Sequence, residues 1–296
     1  MKHMKSKNIP NILSKWTRKP TFWLVVTLMV AFLLLPPARV KSPCSTVVED
    51  ASGHLLGAVI ATDGQWRFPE ADSIPYKYEQ CLLEFEDSYF YYHPGINPVS
   101  TARAIKQNIT AHRVISGGST ITMQLVRISR NAKDRGYWDK LYEMLLALRT
   151  ELRYSKRTII TKYASNAPFG GNVVGIEAAS WRFFGVSPHK LSWAQSATLA
   201  VLPNAPGLIH PGRNRASLLA KRDRLLRRLF DKKIINTESY RLALLEPLPV
   251  EPQPLPMVAP HLLTRAIADG FIGKRIKTTL DLPLQQQVAS VVNSHY

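Results

Sequence analysis

Hydrophobic and polar positions follow three rhythms along the chain. Thr21–Leu35 reads TFWLVVTLMVAFLLL with no charged position. Pro20 suits the first position of a helix and Pro36-Pro37 stops one, so the run predicts an apolar helix. Residues 44–70 read as extended, with short strands at Ser45–Val48 and Leu55–Ala61. Asp50-Ala51-Ser52-Gly53 and Asp63-Gly64 are turn signals, so this stretch predicts a small hairpin. From Ile74 the spacing becomes helical. Apolar positions recur at Ala102, Ile105 and Ile109, then through Thr120–Ile128. Tyr137–Tyr154 carries Leu141, Met144, Leu145, Leu148 and Leu152 on one stripe of a longer helix. Arg157–Ala164, Gly175–Phe184 and Leu191–Leu202 continue the helical pattern, and Ala216–Phe230 is basic and amphipathic. Strand signals are nearly absent between Ile74 and Leu245. Pro247, Pro249, Pro252, Pro254 and Pro256 then give the chain a linker texture. Arg275–Asp281 resembles a strand and Leu284–Val292 a helix.

The predicted fold class is mainly α, with an N-terminal transmembrane helix and a short β-rich linker. The expected divisions are a basic cytoplasmic tail (1–20), a transmembrane signal anchor (21–37), an extended or hairpin linker (38–73), a helical catalytic domain (74–245) and a Pro-rich linker with a further segment (246–296). Fifteen residues at 1.5 Å each cover only about 22 Å, against a hydrocarbon core of about 30 Å. A cleaved signal peptide is the alternative, but Pro36-Pro37-Ala38-Arg39 offers no small-x-small cleavage site. Lys2, Lys5, Lys7, Lys15, Arg18 and Lys19 precede the apolar run and keep that end in the cytoplasm. The expected location is therefore the inner (cytoplasmic) membrane, single-pass, with the rest of the chain extracytoplasmic.

Charge changes the picture of the partner. Lysine and arginine number 39 against 21 acids, which suits an anionic partner: nucleic acid, an anionic membrane or a phosphorylated substrate. With no zinc-finger spacing and no RNA-binding aromatic motif, nucleic acid is not expected. Cys44 and Cys81 lie in no metal-ligand spacing. Two free thiols and a pair are both open from the sequence.

Three stretches carry candidate chemistry. In Glu86-Asp87-Ser88-Tyr89-Phe90-Tyr91-Tyr92-His93-Pro94-Gly95 two carboxylates end an apolar run and meet aromatic residues at once. A carboxylate held against aromatic rings loses solvent and its pKa rises, which suits a general base near neutral pH. The plain alternative is an acidic helix end running into a turn. Gly117-Gly118-Ser119-Thr120 opens a helix and offers hydroxyls to an anion or a sugar, or is an ordinary capped start. Glu143 falls inside an apolar helix and needs a partner; Lys140, three residues back, is one.

Taken in order, EDSYFYYHPG, GGSTITMQ, the Glu143–Lys156 stretch, GIEAASWRFFG, LSWAQSATLAVLPNAP and KRDRLL resemble successive motifs of a known domain. That domain is the peptidoglycan glycosyltransferase (family 51) of class A penicillin-binding proteins, and DGQWRFPE and NAPFGG are similar to the 1C subtype. The resemblance covers about residues 45–230 and implies a lysozyme-like helical glycosyltransferase that polymerises lipid II. It implies Glu86 as general base toward the acceptor 4-hydroxyl. Glu143 is implied as the second catalytic carboxylate, near the donor's pyrophosphate and acting through a divalent cation, Mg or Mn. Arg127, Lys140 and Lys156 are implied as phosphate-holding positions, which the point charge of lysine and the fork of arginine suit. Ser119, Thr120, Gln124 and Ser155 are implied as polar substrate-binding positions, with Asp87, Phe90 and His93 shaping the first motif. The implied partners are lipid II, nascent glycan, the membrane and other cell-wall synthesis proteins.

The chain departs from the family pattern at Met123, Asp139, Thr161, Ala164-Ser165 and Gln195, which affects substrate handling more than the reaction. Ser187-Pro188-His189-Lys190 fits the S-x-x-K expression of a transpeptidase nucleophile, but contains Pro and lies inside the helical domain, so it reads as chance. Residues 275–296 look like the cut-off opening of a transpeptidase module. Two rival readings are an inactive membrane-anchored scaffold and a wall-cleaving lytic enzyme. A lytic enzyme needs no pyrophosphate-binding cations, so Arg127, Lys140 and Lys156 count against it.

Overall fold

The computed structural model describes residues 20–113, 117–131, 136–204 and 214–295. The basic tail expected over 1–20 lies almost wholly outside the described residues, as does the end of the LSWAQSATLAVLPNAP motif. The chain is mainly helical. After helix α1 (Pro20–Leu34) come strands β1 (Thr46–Glu49), β2 (Leu55–Val59) and β3 (Trp66–Arg67). Helices α2 (Tyr76–Glu86), α3 (Pro98–Thr110), α4 (Ile121–Arg130), α5 (Tyr137–Glu151) and α6 (Lys156–Asn166) follow. Strands β4 (Pro168–Gly170) and β5 (Val173–Val174) precede α7 (Ile176–Phe184), α8 (Trp193–Val201), α9 (Arg215–Asp231) and α10 (Thr237–Leu245). Helix α11 (Pro260–Ala268), strand β6 (Arg275–Lys277) and helix α12 (Leu282–His295) complete the described chain.

Helix α8 is the core element. Ala194, Ser196, Ala197, Thr198, Leu199, Ala200 and Val201 are all buried, so the helix meets protein on nearly every side. Its small residues let α2 and α9 pack against it. A capping box starts it: Ser192 Oγ accepts from the Gln195 amide at 3.0 Å, and the Gln195 side chain accepts from the Ser192 amide at 3.1 Å. Gln195, one of the departures from the family pattern, thus serves the helix start. Helices α5 and α6 pack on α4, which brings the candidate site together.

Strands β1 and β2 form the expected hairpin, antiparallel with Val47 opposite Ala58. Strand β6 joins it, parallel to β1. Alternation along β1 sends Val47 into the main core and Val48 into a second cluster with Leu56, Ala259 and Leu263. The proline-rich segment is also tied to the body. Gln253 donates its amide to the Arg182 carbonyl at 2.5 Å, and Val258 donates to Leu56 at 2.7 Å. Both cysteines are free thiols.

The structure adds detail to two parts of the sequence reading. Strands β4 and β5 lie in the stretch where strand signals are nearly absent; each is only two or three residues long and exists because β5 pairs with both β3 and β4. The α5 stripe is split, with Met144 against the core and Leu148 half-buried. Leu141, Leu145 and Leu152 are exposed, together with Trp138 and Tyr142, while Glu143, Leu146, Ala147 and Thr150 face inward.

Helix α1 is apolar, has 15 residues and buries none of them. Among the described residues no helix is long and apolar enough to cross a membrane. The expected anchor is represented by this short helix, whose exit is hitched to the end of α5. Arg149 Nε donates to the Leu33 carbonyl at 3.1 Å, and the Ala38 amide donates to Thr150 Oγ1 at 3.0 Å.

Candidate active site

Glu86 is the last residue of α2 and is half-buried. Gln124 Nε2, one turn into α4, donates to Glu86 Oε2 at 2.6 Å. Tyr163 of α6 donates its hydroxyl to Gln124 Oε1 at 3.1 Å, so both ends of the amide are used and its orientation is fixed. Burial, then the negative charge of Glu86, pushes the Tyr163 phenol well above its ordinary range. It remains a neutral donor.

One further turn along α4, Arg127 forks onto the second carboxylate. Its Nε and Nη2 donate to the two oxygens of Glu143 at 2.9 and 3.0 Å. This answers the question of what Glu143 does in an apolar helix: it is 5% exposed and held bidentately. The Glu143 hydrogen bonds are the leading reason that the Arg127 pKa is raised, so this guanidinium stays charged. Lys140 Nζ lies 3.8 Å from Glu143 and donates to Ser119 Oγ at 2.5 Å. Burial, reinforced by Arg127, lowers the Lys140 pKa while Glu143 opposes the shift. Two cations thus share one buried carboxylate, leaving positive charge for an anion.

Glu86 and Ser119 line a cleft of about 170 Å³. The Glu86–Gln124–Tyr163 chain and the Arg127–Glu143–Lys140 cluster are neighbours across α4, the second reaching the cleft through Ser119.

The remaining expected residues have other surroundings. Asp87 and His93 are buried and paired, with His93 Nε2 at 3.0 Å from both carboxylate oxygens. Asp87 also accepts from the Ile121 amide at 3.3 Å, tying the first motif to the α4 start. Phe90 is fully buried, so these three shape the turn from within. Thr120 is the N-cap of α4, accepting from the Met123 amide at 3.2 Å and donating to the Gly95 carbonyl at 2.6 Å. Ser155 is exposed and caps α6 through the Thr158 amide at 3.2 Å. Lys156 lies 4.4 Å from the centre of the Phe90 ring and donates to the His93 carbonyl at 2.6 Å and to Glu151 at 2.8 Å. Its charge is spent on the first motif and on Glu151, away from the Glu143 cluster's contacts.

Two glycines permit this convergence. A Cβ on Gly118 would lie 2.7 Å from Thr101 Cα, and Gly95, at φ +88°, lies against Ala147 of α5.

Sequence reasoning missed Tyr163, Glu84, Arg103 and Arg228. Glu84 lines the cleft two residues before Glu86 on α2, whereas Arg103 and Arg228 come from α3 and α9, and no local spacing connects those two to Glu86. Asp139, another departure, pairs with Arg130 at 3.1 Å. The expected divalent cation finds no ready set of ligands. Among the described residues no three His, Cys, Asp or Glu side chains are grouped to hold a metal, and both Glu143 oxygens already accept from Arg127.

Comparison with known proteins bears on this geometry. A family described as transglycosylase matches residues 52–230, a span that holds both carboxylates and the cations around them. The chain belongs to the transglycosylase family. Among relatives of this transglycosylase, penicillin-binding protein 1C of Escherichia coli (strain K12) is 37% identical over 259 residues, covering 87% of this chain and 33% of the relative. Penicillin-binding protein 1A of Aquifex aeolicus (strain VF5) is 32% identical over 277 residues, covering 89% of this chain and 38% of the relative. The chain therefore spans little more than a third of these relatives' length. A crystal structure of penicillin-binding protein 1A from Haemophilus influenzae aligns with 82% of the chain and 28% of its own length, at 18% identity and a TM-score of 0.39. That likeness is too loose to bear on the fold.

Proposed function

We propose that this transglycosylase is a peptidoglycan glycosyltransferase that polymerises lipid II into β-1,4 glycan and releases undecaprenyl pyrophosphate. The observation that carries the reading is the pairing, across one helix, of a half-buried carboxylate with a cationic cluster (Glu86 with Arg127 and Lys140). Glu86 takes the proton from the acceptor 4-hydroxyl. The hydroxyl oxygen attacks C1 of the donor sugar, forming the new glycosidic bond as the C1–oxygen bond to pyrophosphate breaks. The leaving group departs with that electron pair, and attack from the opposite face inverts the α-linked donor to a β product. Charge develops on the pyrophosphate oxygens, and Arg127 and Lys140 are the preorganised partners for it. Glu143 acts through Arg127, fixing the fork and keeping it charged. A glycan-cleaving enzyme has no use for this cationic cluster.

The surroundings support a membrane location. The exposed apolar stripe of α5 (Trp138, Leu141, Tyr142, Leu145, Leu152) and the apolar α1, hitched to the same helix, give the domain an oily flank. The excess of 39 lysines and arginines over 21 acids in the whole chain suits anionic headgroups. The substrate would then be met at the extracytoplasmic face of the inner membrane.

Labelled lipid II tests the reading. The wild type should give glycan ladders, and Glu86→Gln should give none while keeping its thermal unfolding midpoint. Polymer from a folded Glu86→Gln protein would remove Glu86 as the base.

A further inference from the structure

In the first coupling two substrates meet, and each carries a pyrophosphate: the donor loses its own and the acceptor keeps its own. Arg127 and Lys140 form one set of cations. A second set, from α3 and α9, lines the cleft of Glu86: Arg103 and Arg228. Arg228 is held in place, its Nε 2.9 Å from Glu84 Oε1 and its Nη2 2.5 Å from the Glu84 carbonyl. Lys232 adds a contact to Glu84 Oε2 at 2.6 Å. The Glu84 carboxylate is buried, so two cations answer one negative charge, and the exposed Arg103 adds a third positive group. The other acids of the cleft are engaged, Asp87 by His93 and Glu86 by Gln124. Two arginines therefore stand at this cleft, and the guanidinium fork suits phosphate oxygens.

We infer that Arg103 and Arg228 bind the pyrophosphate retained by the acceptor; the inference rests on the glycosyltransferase reading. The acceptor's pyrophosphate is separated from its reactive hydroxyl by two sugar rings. Its site must therefore share the cleft with Glu86 without touching the base. Arg228 meets this condition. It is anchored to Glu84, two residues before Glu86 on the same helix end, so the group that holds the acceptor is built onto the element that activates it. A carboxylate of the acceptor's peptide would be the other anion for such a fork, and the test separates the two.

A labelled donor with its 4-hydroxyl blocked is offered to the wild type with one of two acceptors. One is the lipid-linked disaccharide pyrophosphate and the other is the same disaccharide-peptide as a methyl glycoside. The wild type should favour the pyrophosphate acceptor in kcat/KM by at least about tenfold, the size of one charge-assisted hydrogen bond. Arg103→Ala should bring that ratio close to one by raising the KM for the pyrophosphate acceptor, and Arg103→Lys should restore part of it. Arg103 is exposed, so an unchanged unfolding midpoint confirms that the fold is retained. If Arg103→Ala keeps the wild-type ratio, or loses rate equally with both acceptors as a peptide contact would, the inference is wrong. If the wild type couples neither acceptor, the glycosyltransferase reading itself fails.

Discussion

Lys140 shows how one side chain can be tuned by its neighbours. It is an ordinary lysine in composition, yet burial and the nearby Arg127 lower its pKa, with Glu143 pulling the other way. Only the ammonium form can hold an anion, so its contribution is full at neutral pH and is lost as pH rises through the lowered pKa. The alkaline limb of kcat/KM for lipid II should therefore begin below the usual lysine range of about 10.4. Arginine stays charged across the accessible range. Lys140→Arg should move that limb upward, whatever its effect on the absolute rate. A profile from roughly pH 7 to 11, spanning the reference lysine value, checks this. A limb that does not move would assign it to another group. Arg127 gives the complementary case: the Glu143 fork raises its pKa, so it contributes no limb of its own.

Elements bring these residues together, and Gly95 is where two of them nearly touch. Its φ of +88° already disfavours a side chain, and a Cβ there would lie 3.0 Å from the Ala147 carbonyl oxygen and 2.9 Å from Glu151 Cγ. Ala147 is on α5, the helix that carries Glu143. Gly95→Ala should cost about 1–3 kcal/mol, the range for forced backbone strain. Because the Gly95 carbonyl also accepts from Thr120 at the α4 start, glycan synthesis should fall further than the loss of folded protein explains. Urea unfolding and initial rates on the same sample measure both. This junction also marks how far the sequence could be read. The first two motifs and Glu143 were legible because each is a local string, and α4 places Gln124 and Arg127 at helical spacing. The inward side of α5 was not, since its apolar stripe includes the exposed Leu141 and Leu145 while the fold turned Glu143 inward. Tyr163 and Arg228 were invisible because their partners are 39 and 144 residues away in sequence. Helices α10 and α11 begin behind local signals, the Asn236 cap and Pro260 at the first helical position, but each is only nine residues long, too short for apolar periodicity to stand out.

For the whole molecule the question is what joins the segment after the proline-rich stretch to the helical body. Strand β6 supplies backbone pairing to β1, and Arg275 at its start supplies charge. Its guanidinium contacts Glu49 of β1 and Glu177 of α7, and donates to the Pro69 carbonyl at 3.0 Å. One cation therefore clasps three parts of the chain. Burial raises the Glu177 pKa, and Arg275 is the main force restraining that rise. Replacing the arginine with methionine keeps much of the volume but leaves two largely buried carboxylates facing each other. Breaking such a cluster costs about 3 kcal/mol or more. The sign of the pH dependence follows. With its folded-state pKa raised further, Glu177 favours folding when protonated, an advantage present at low pH and lost as pH rises through that pKa. The Arg275→Met deficit should thus be largest at neutral pH and shrink as pH falls, and adding Glu177→Gln should recover part of it at neutral pH. Urea unfolding of wild type, single and double variants at two pH values measures all three. A deficit that ignores pH would move the cost from charge to packing, and the clasp would then owe its hold to the β1–β6 pairing.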